Sequence, residues 1–104
     1  MDELLEKLRD FRGVYLVEGK RDAEALKKIG LDEIIIIDGK KLEDVVEEVK
    51  NRANEVVILT DFDDEGRKKA SKLIKLLVKD KIKVNRRLRR EFRKLGIIKI
   101  EEIK

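Results

Sequence analysis

Three stretches of this chain are apolar at every position: Val14-Tyr15-Leu16-Val17, Ile34-Ile35-Ile36-Ile37 and Val56-Val57-Ile58-Leu59. In an extended segment successive side chains point to opposite faces. A strand with no polar face must be covered on both sides, which is the condition of a parallel sheet clothed by helices. The segments between the runs have helical period. Leu4, Leu5, Leu8 and Phe11 predict a helix over 2–10, and Ala23, Leu26 and Ile29 one over 21–29, stopped at Gly30. Leu42, Val45, Val46 and Val49 mark a third. Ala70, Leu73, Ile74, Leu77 and Val78 predict a long helix over 64–79, and Leu88, Phe92 and Leu95 one over 86–95. Strands are expected at 14–17, 33–37 and 55–60, with Ile82-Lys83-Val84 as a short fourth. Ile97-Ile98-Lys99-Ile100 reads as a short strand or an extended docking segment. With no Pro and only short loops, residues 1–104 are expected to form one α/β, Rossmann-like domain: about four mainly parallel strands sandwiched between helices.

Composition limits the chemistry. The chain has no Cys and no His, which removes disulfides, thiolate or imidazole metal sites, Ser-His triads and imidazole proton transfer. Any catalysis must run on carboxylates, Lys/Arg, hydroxyls or a bound oxygen-loving metal. No apolar run approaches the roughly 20 residues that span a bilayer. Met1-Asp2-Glu3 lacks the basic-then-apolar order of a signal peptide, so a cytoplasmic protein without membrane contact is expected. Charged residues reach 48%, with no Gln, a bias shared by hyperthermophile proteins and idealised designs.

In open α/β sheets ligands bind beyond the carboxyl ends of the strands. Three strands here end in an acid: Glu18, Asp38 and Asp61. The third runs on as Thr60-Asp61-Phe62-Asp63-Asp64-Glu65-Gly66. In extended backbone Asp61 and Asp63 point the same way, and their repulsion favours a shared cation. Without His or Cys that cation is Mg²⁺ or Mn²⁺. Helix capping competes as an explanation. It suits Asp64 best and does not account for Glu18 or Asp61 at the ends of buried runs.

Val17-Glu18-Gly19-Lys20, followed about forty residues later by Leu59-Thr60-Asp61-Phe62-Asp63-Asp64-Glu65-Gly66, resembles the Toprim domain over roughly residues 10–100. Its look is that of small stand-alone archaeal and bacterial Toprim proteins, and Glu18-Gly19-Lys20-Arg21-Asp22-Ala23-Glu24-Ala25-Leu26 is similar to the Toprim ribonuclease that matures ribosomal RNA. The resemblance implies a Mg²⁺ site (Mn²⁺ as substitute) at Glu18, Asp61 and Asp63, with Glu18 as general acid or base in nuclease-like phosphoryl transfer on RNA or DNA. Gly19 and Gly66 would be structural. RNA or DNA is the expected partner, with a homodimer or a larger protein complex as the assemblies considered. A non-catalytic nucleic-acid- or partner-binding module, and a redesigned minimal core, remain alternatives. The single Tyr, Tyr15, lies inside the first strand, which argues against a self-contained topoisomerase.

Charge is uneven. Residues 79–94 hold nine Lys/Arg against two acids, in a chain of net charge +4. Arg86, Arg89, Arg90 and Arg93 are candidate phosphate contacts, with ion pairing to neighbouring acids as the competing reading. Lys20 and Arg67 follow the motif acids at strand-to-helix turns. They are expected to meet phosphate, with Lys20 steadying its developing charge, or to pair with those acids.

Overall fold

A computed structural model describes residues 2–103. The apolar runs are the strands β1 (Val14–Val17), β2 (Ile34–Ile36) and β3 (Glu55–Leu59), joined by β4 (Lys83–Val84). They form one sheet in the order β2-β1-β3-β4, parallel throughout, with Val17 beside both Ile36 and Leu59. The helices are α1 (Asp2–Asp10), α2 (Lys20–Lys28), α3 (Leu42–Arg52), α4 (Asp64–Lys79) and α5 (Arg86–Arg93), with a 3₁₀ turn at Ile100–Glu102.

The two central strands, β1 and β3, are buried on both faces, as their composition requires; β2 is buried at Ile35 and half-buried at Ile34 and Ile36. Tyr15, Val17, Val57 and Leu59 face a core filled by Leu8, Leu26, Leu88, Phe92 and Ile100, from α1, α2, α5 and the 3₁₀ turn. Val14, Leu16, Ile35, Val56 and Ile58 face the other core, filled by Val45, Val49, Leu73 and Leu77 from α3 and α4. The chain leaves β1 toward β2 on one side and places β3 and β4 on the other, so the switch in strand order falls between β1 and β3.

Several local expectations are corrected. The 97–100 segment is the docking alternative and not the strand: it bends at Ile98 and Lys99, Ile100 and Ile103 are buried against the α1–α2–α5 core, and the Ile98 carbonyl accepts the Phe62 N–H at 2.6 Å. Helix α5 ends two residues early, at a turn where Gly96 takes a positive φ of 78°, so Leu95 is exposed instead of joining the core stripe. Val78, in the last turn of α4, is also exposed.

Strand β4 is too short to cover β3. It pairs only with Glu55 and Val56, and the Asn85 N–H then takes the Val56 carbonyl at 2.8 Å. Beyond that point the outward carbonyls of Ile58 and Thr60 receive the Arg89 guanidinium from α5, at 3.0 and 2.9 Å. A side chain thus completes the edge that a longer strand would have filled.

Candidate metal and phosphate site at the strand ends

Glu18 follows β1 directly, and Asp61 lies two residues beyond β3. Because β1 and β3 are neighbours, the two acids meet: Glu18 Oε2 accepts the Asp61 N–H at 2.9 Å. Its other oxygen, Oε1, accepts Lys69 Nζ from α4 at 2.7 Å. Asp61 Oδ1 accepts the Ile100 N–H at 3.0 Å, so the segment leading into the 3₁₀ turn straps across the site.

Asp63 is the N-cap of α4, its Oδ1 accepting the Gly66 N–H at 2.7 Å. Capping therefore belongs to Asp63, one residue before the position expected; Asp64 is the first helical residue, exposed, and paired with Arg67. Gly66 is required by contact. A Cβ there would lie 1.9 Å from the Asp61 carbonyl oxygen, so only glycine lets the first turn of α4 lie on the strand end. Buried Thr60 fixes the same turn by donating its hydroxyl to the Gly66 carbonyl at 2.6 Å. Gly19 begins α2, and a Cβ on it would meet an Asp38 carboxylate oxygen at 3.2 Å.

The crevice is more acidic than the motif alone suggested. A cleft of about 380 Å³ is lined by Glu18, Lys20, Asp22, Asp38, Asp61 and Glu101, among others. Asp22 is buried, and its carboxylate accepts the Gly19 N–H at 3.0 Å. Burial pushes the Asp22 carboxyl above the usual range, against that hydrogen bond, and Asp61, Glu101 and Glu18 push it further. Asp61 is raised for the same reasons: burial first, then the charges of Glu18 and Asp63, opposed by the Ile100 N–H. Lys20, Arg21 and Lys99 also line the cleft, and Lys69 reaches Glu18 from α4, so the five carboxylates of the cleft are only partly offset.

The donor set is all oxygen and surplus in negative charge, which fits a hard divalent cation. The carboxylates are nevertheless held by protein donors rather than gathered around one point. Among the described residues no group of three acids stands in a metal-ligating arrangement. Asp61 and Asp63 each keep one oxygen without a hydrogen bond among the described residues, while Glu18 has both engaged.

The basic residues divide. Arg89 is not a surface cation: its guanidinium bonds the Ile58 and Thr60 carbonyls and stacks 4.7 Å above the Phe62 ring. Burial lowers its pKa, and Arg93 and Arg67 lower it further. Arg86, Arg90 and Arg93 are exposed on the same helix, and among the described residues none of them forms an ion pair. Lys20 is exposed at the start of α2 on the rim of the acidic cleft. Tyr15 is buried in β1, its hydroxyl donating to the Leu8 carbonyl at 2.8 Å, and burial raises its pKa.

Asp22, Lys69 and Ile100 are among the residues of the site that went unmarked in the sequence. Asp22 carried a faint signal, an acid three residues after the Gly19 N-cap. Lys69 and Ile100 carried none, since their roles exist only once α4 and the strap are in place.

Comparison with known proteins agrees with this architecture. The Toprim domain family matches over residues 13–95, so the strap at 97–103 lies beyond the matched span. A UPF0292 protein of Pyrococcus furiosus is 44% identical over 91 residues, covering 86% of this chain and 68% of that protein. Another, from Methanocaldococcus jannaschii, is 40% identical over 93 residues, covering 85% of this chain and 73% of that protein. The solved structure of a putative protein from Aquifex aeolicus superposes with a TM-score of 0.92 at 33% identity, covering 99% of this chain and 97% of that one. A match of that extent, on a fold whose two central strands end in the expected acids, makes this chain a member of the Toprim domain family.

Proposed function

We propose that this domain is a Mg²⁺-dependent phosphoryl-transfer module acting on nucleic acid, with cleavage of an RNA or DNA phosphodiester as its reaction. The observation that supports it is the hydrogen bond between Glu18 Oε2 and the Asp61 N–H, which puts two acids on neighbouring strands at the switch point. Asp61 and Asp63 would hold the metal through their remaining oxygens, joined by Glu18. When bound, Mg²⁺ neutralises charge on the phosphoryl oxygens and keeps waters in its coordination shell. Glu18, beside the metal and not fully committed to it, would move the proton. Lys20, at the rim of the cleft, steadies a non-bridging phosphate oxygen. Arg86, Arg90, Arg93 and Arg67 bind the flanking backbone; Arg89 instead fixes the Asp61 loop.

A cleavage screen on structured RNA and on single- and double-stranded DNA, with Mg²⁺ or Mn²⁺, tests this reading alongside a metal titration. Asp61→Asn is expected to abolish metal binding, and Glu18→Gln to harm cleavage more than it harms metal binding. Metal binding without cleavage of any substrate would leave a nucleic-acid-binding module. No binding of either metal at millimolar concentration, with or without nucleic acid, would overturn the mechanism.

A further inference from the structure

A lysine already holds the carboxylate that the metal site needs. Lys69 Nζ lies 2.7 Å from Glu18 Oε1, and the Glu18 side chain is only 15% exposed while that of Lys69 is 44% exposed. Glu18 is thus fixed on the sheet, whereas Lys69 reaches it from the open side of α4 on a long flexible stem. Asp38 and Glu65 lie near enough to strengthen the hold on the ammonium, though less than Glu18 does. Both Glu18 oxygens are therefore engaged, one by a backbone N–H that stays with the fold and one by a side chain that can leave.

We propose that Lys69 is a built-in counter-cation for Glu18, occupying its outer oxygen in the metal-free protein and giving way when a divalent cation binds. The proposal rests on the metal-site reading above. A half-buried carboxylate facing Asp61 and Asp22 is costly to leave bare, and Lys69 offsets that cost. The same contact taxes metal binding, because the ammonium must be displaced first. Its departure is feasible: the stem is half in solvent, and an ammonium regains its hydration outside the cleft. Lys69 is therefore a positioning residue that sets the threshold for metal entry.

The test measures metal affinity by electron paramagnetic resonance of free Mn²⁺, with Mg²⁺ as competitor, and thermal stability with and without metal. Lys69→Gln removes the cation and is expected to bind Mn²⁺ about 10-fold more tightly, since no ammonium then has to be displaced from Glu18. Its melting temperature without metal should fall, and its gain on adding metal should exceed that of the wild type. Lys69→Arg keeps a cation on Glu18 and should restore the wild-type affinity. Lys72→Gln, an exposed change of the same charge on the same helix, controls for long-range electrostatics and should shift affinity far less.

If Lys69→Gln binds Mn²⁺ as the wild type does, or more weakly, the counter-cation role is wrong. If Lys72→Gln tightens binding equally, the effect is general charge and the role is also wrong. If Asp61→Asn binds as well as the wild type, or the wild type does not bind at all, the metal-site reading itself falls and takes this proposal with it.

Discussion

Arg89→Met should unfasten the strand end that carries Asp61. The side chain now closes two good hydrogen bonds, to the Ile58 carbonyl at 3.0 Å and the Thr60 carbonyl at 2.9 Å; a third, to the Asp61 carbonyl at 3.4 Å, is long enough to count little. Ile58 and Thr60 are buried, so their carbonyls find no water in exchange. Leaving two buried acceptors unsatisfied costs about 1–3 kcal/mol each, and losing the stack on Phe62 costs roughly 0.5–1 more. Relief from burying the guanidinium offsets part of this, and the methionine stem keeps the apolar contact. The net expectation is a loss of about 3 kcal/mol, or roughly 10–20 °C in melting temperature for a domain of this size. Thermal and urea unfolding measure it, with Arg86→Met, an exposed change on the same helix, as control; that variant should stay within about 0.5 kcal/mol of wild type. If Arg89→Met melts with Arg86→Met, the guanidinium does not complete the β3 edge and the argument fails.

Asp61→Asn should raise metal-free stability at neutral pH. The folded carboxyl is raised above its ordinary value, so wild-type stability is full below that value and declines as pH rises through the folded one. The asparagine advantage should therefore vanish below about pH 4, read as melting temperature against pH. Ile100→Pro removes the N–H that Asp61 accepts, at a position where Lys99 already has the extended backbone that proline demands (φ −105°, ψ 136°). Metal affinity should fall roughly 10–100-fold, while Ile100→Ala, which keeps the N–H and loses packing, should lose stability instead; equal affinity in both variants would dismiss the strap. Reversing Arg86, Arg90 and Arg93 to Glu should weaken nucleic-acid binding and flatten its log–log salt slope by roughly 2–3, measured by fluorescence anisotropy across salt concentrations. An unchanged slope would show that this face does not carry phosphate.

The sheet was legible because burial leaves a direct mark on composition. Ile34 to Ile37 and Val56 to Leu59 have no polar position, and no other arrangement covers both faces of such strands. Glu18 and Asp61 were legible for the converse reason: an acid ending a buried run is costly unless something uses it. Arg89 was misread because helical period tells which residues share a face, not whether a neighbouring strand stops short. The facing element, β4, ends after two residues, and that shortfall turns an arginine inward. The start of α4 was placed at Asp64, where it lies, yet the capping role was given to Asp64 itself, although the cap is by definition the residue before the first helical one, Asp63. Of the two readings of Ile97 to Ile100, strand or docking segment, the structure takes the second; its bond to Asp61 was beyond reach, because that contact exists only once the segment has docked.

Arg89 also bears on how the molecule behaves in a crowd. A strand with unpaired outward carbonyls is a template for another chain, and a sheet that ends in one invites edge-to-edge growth. Here the guanidinium occupies the two carbonyls that an incoming strand would need first, while the outer strands β2 and β4 are three and two residues long. The sheet therefore ends without offering a seam of useful length. Solutions of the wild type should stay clear through heating that clouds Arg89→Met, because the loosened variant uncovers the end of β3, and the seam with it, at a lower temperature.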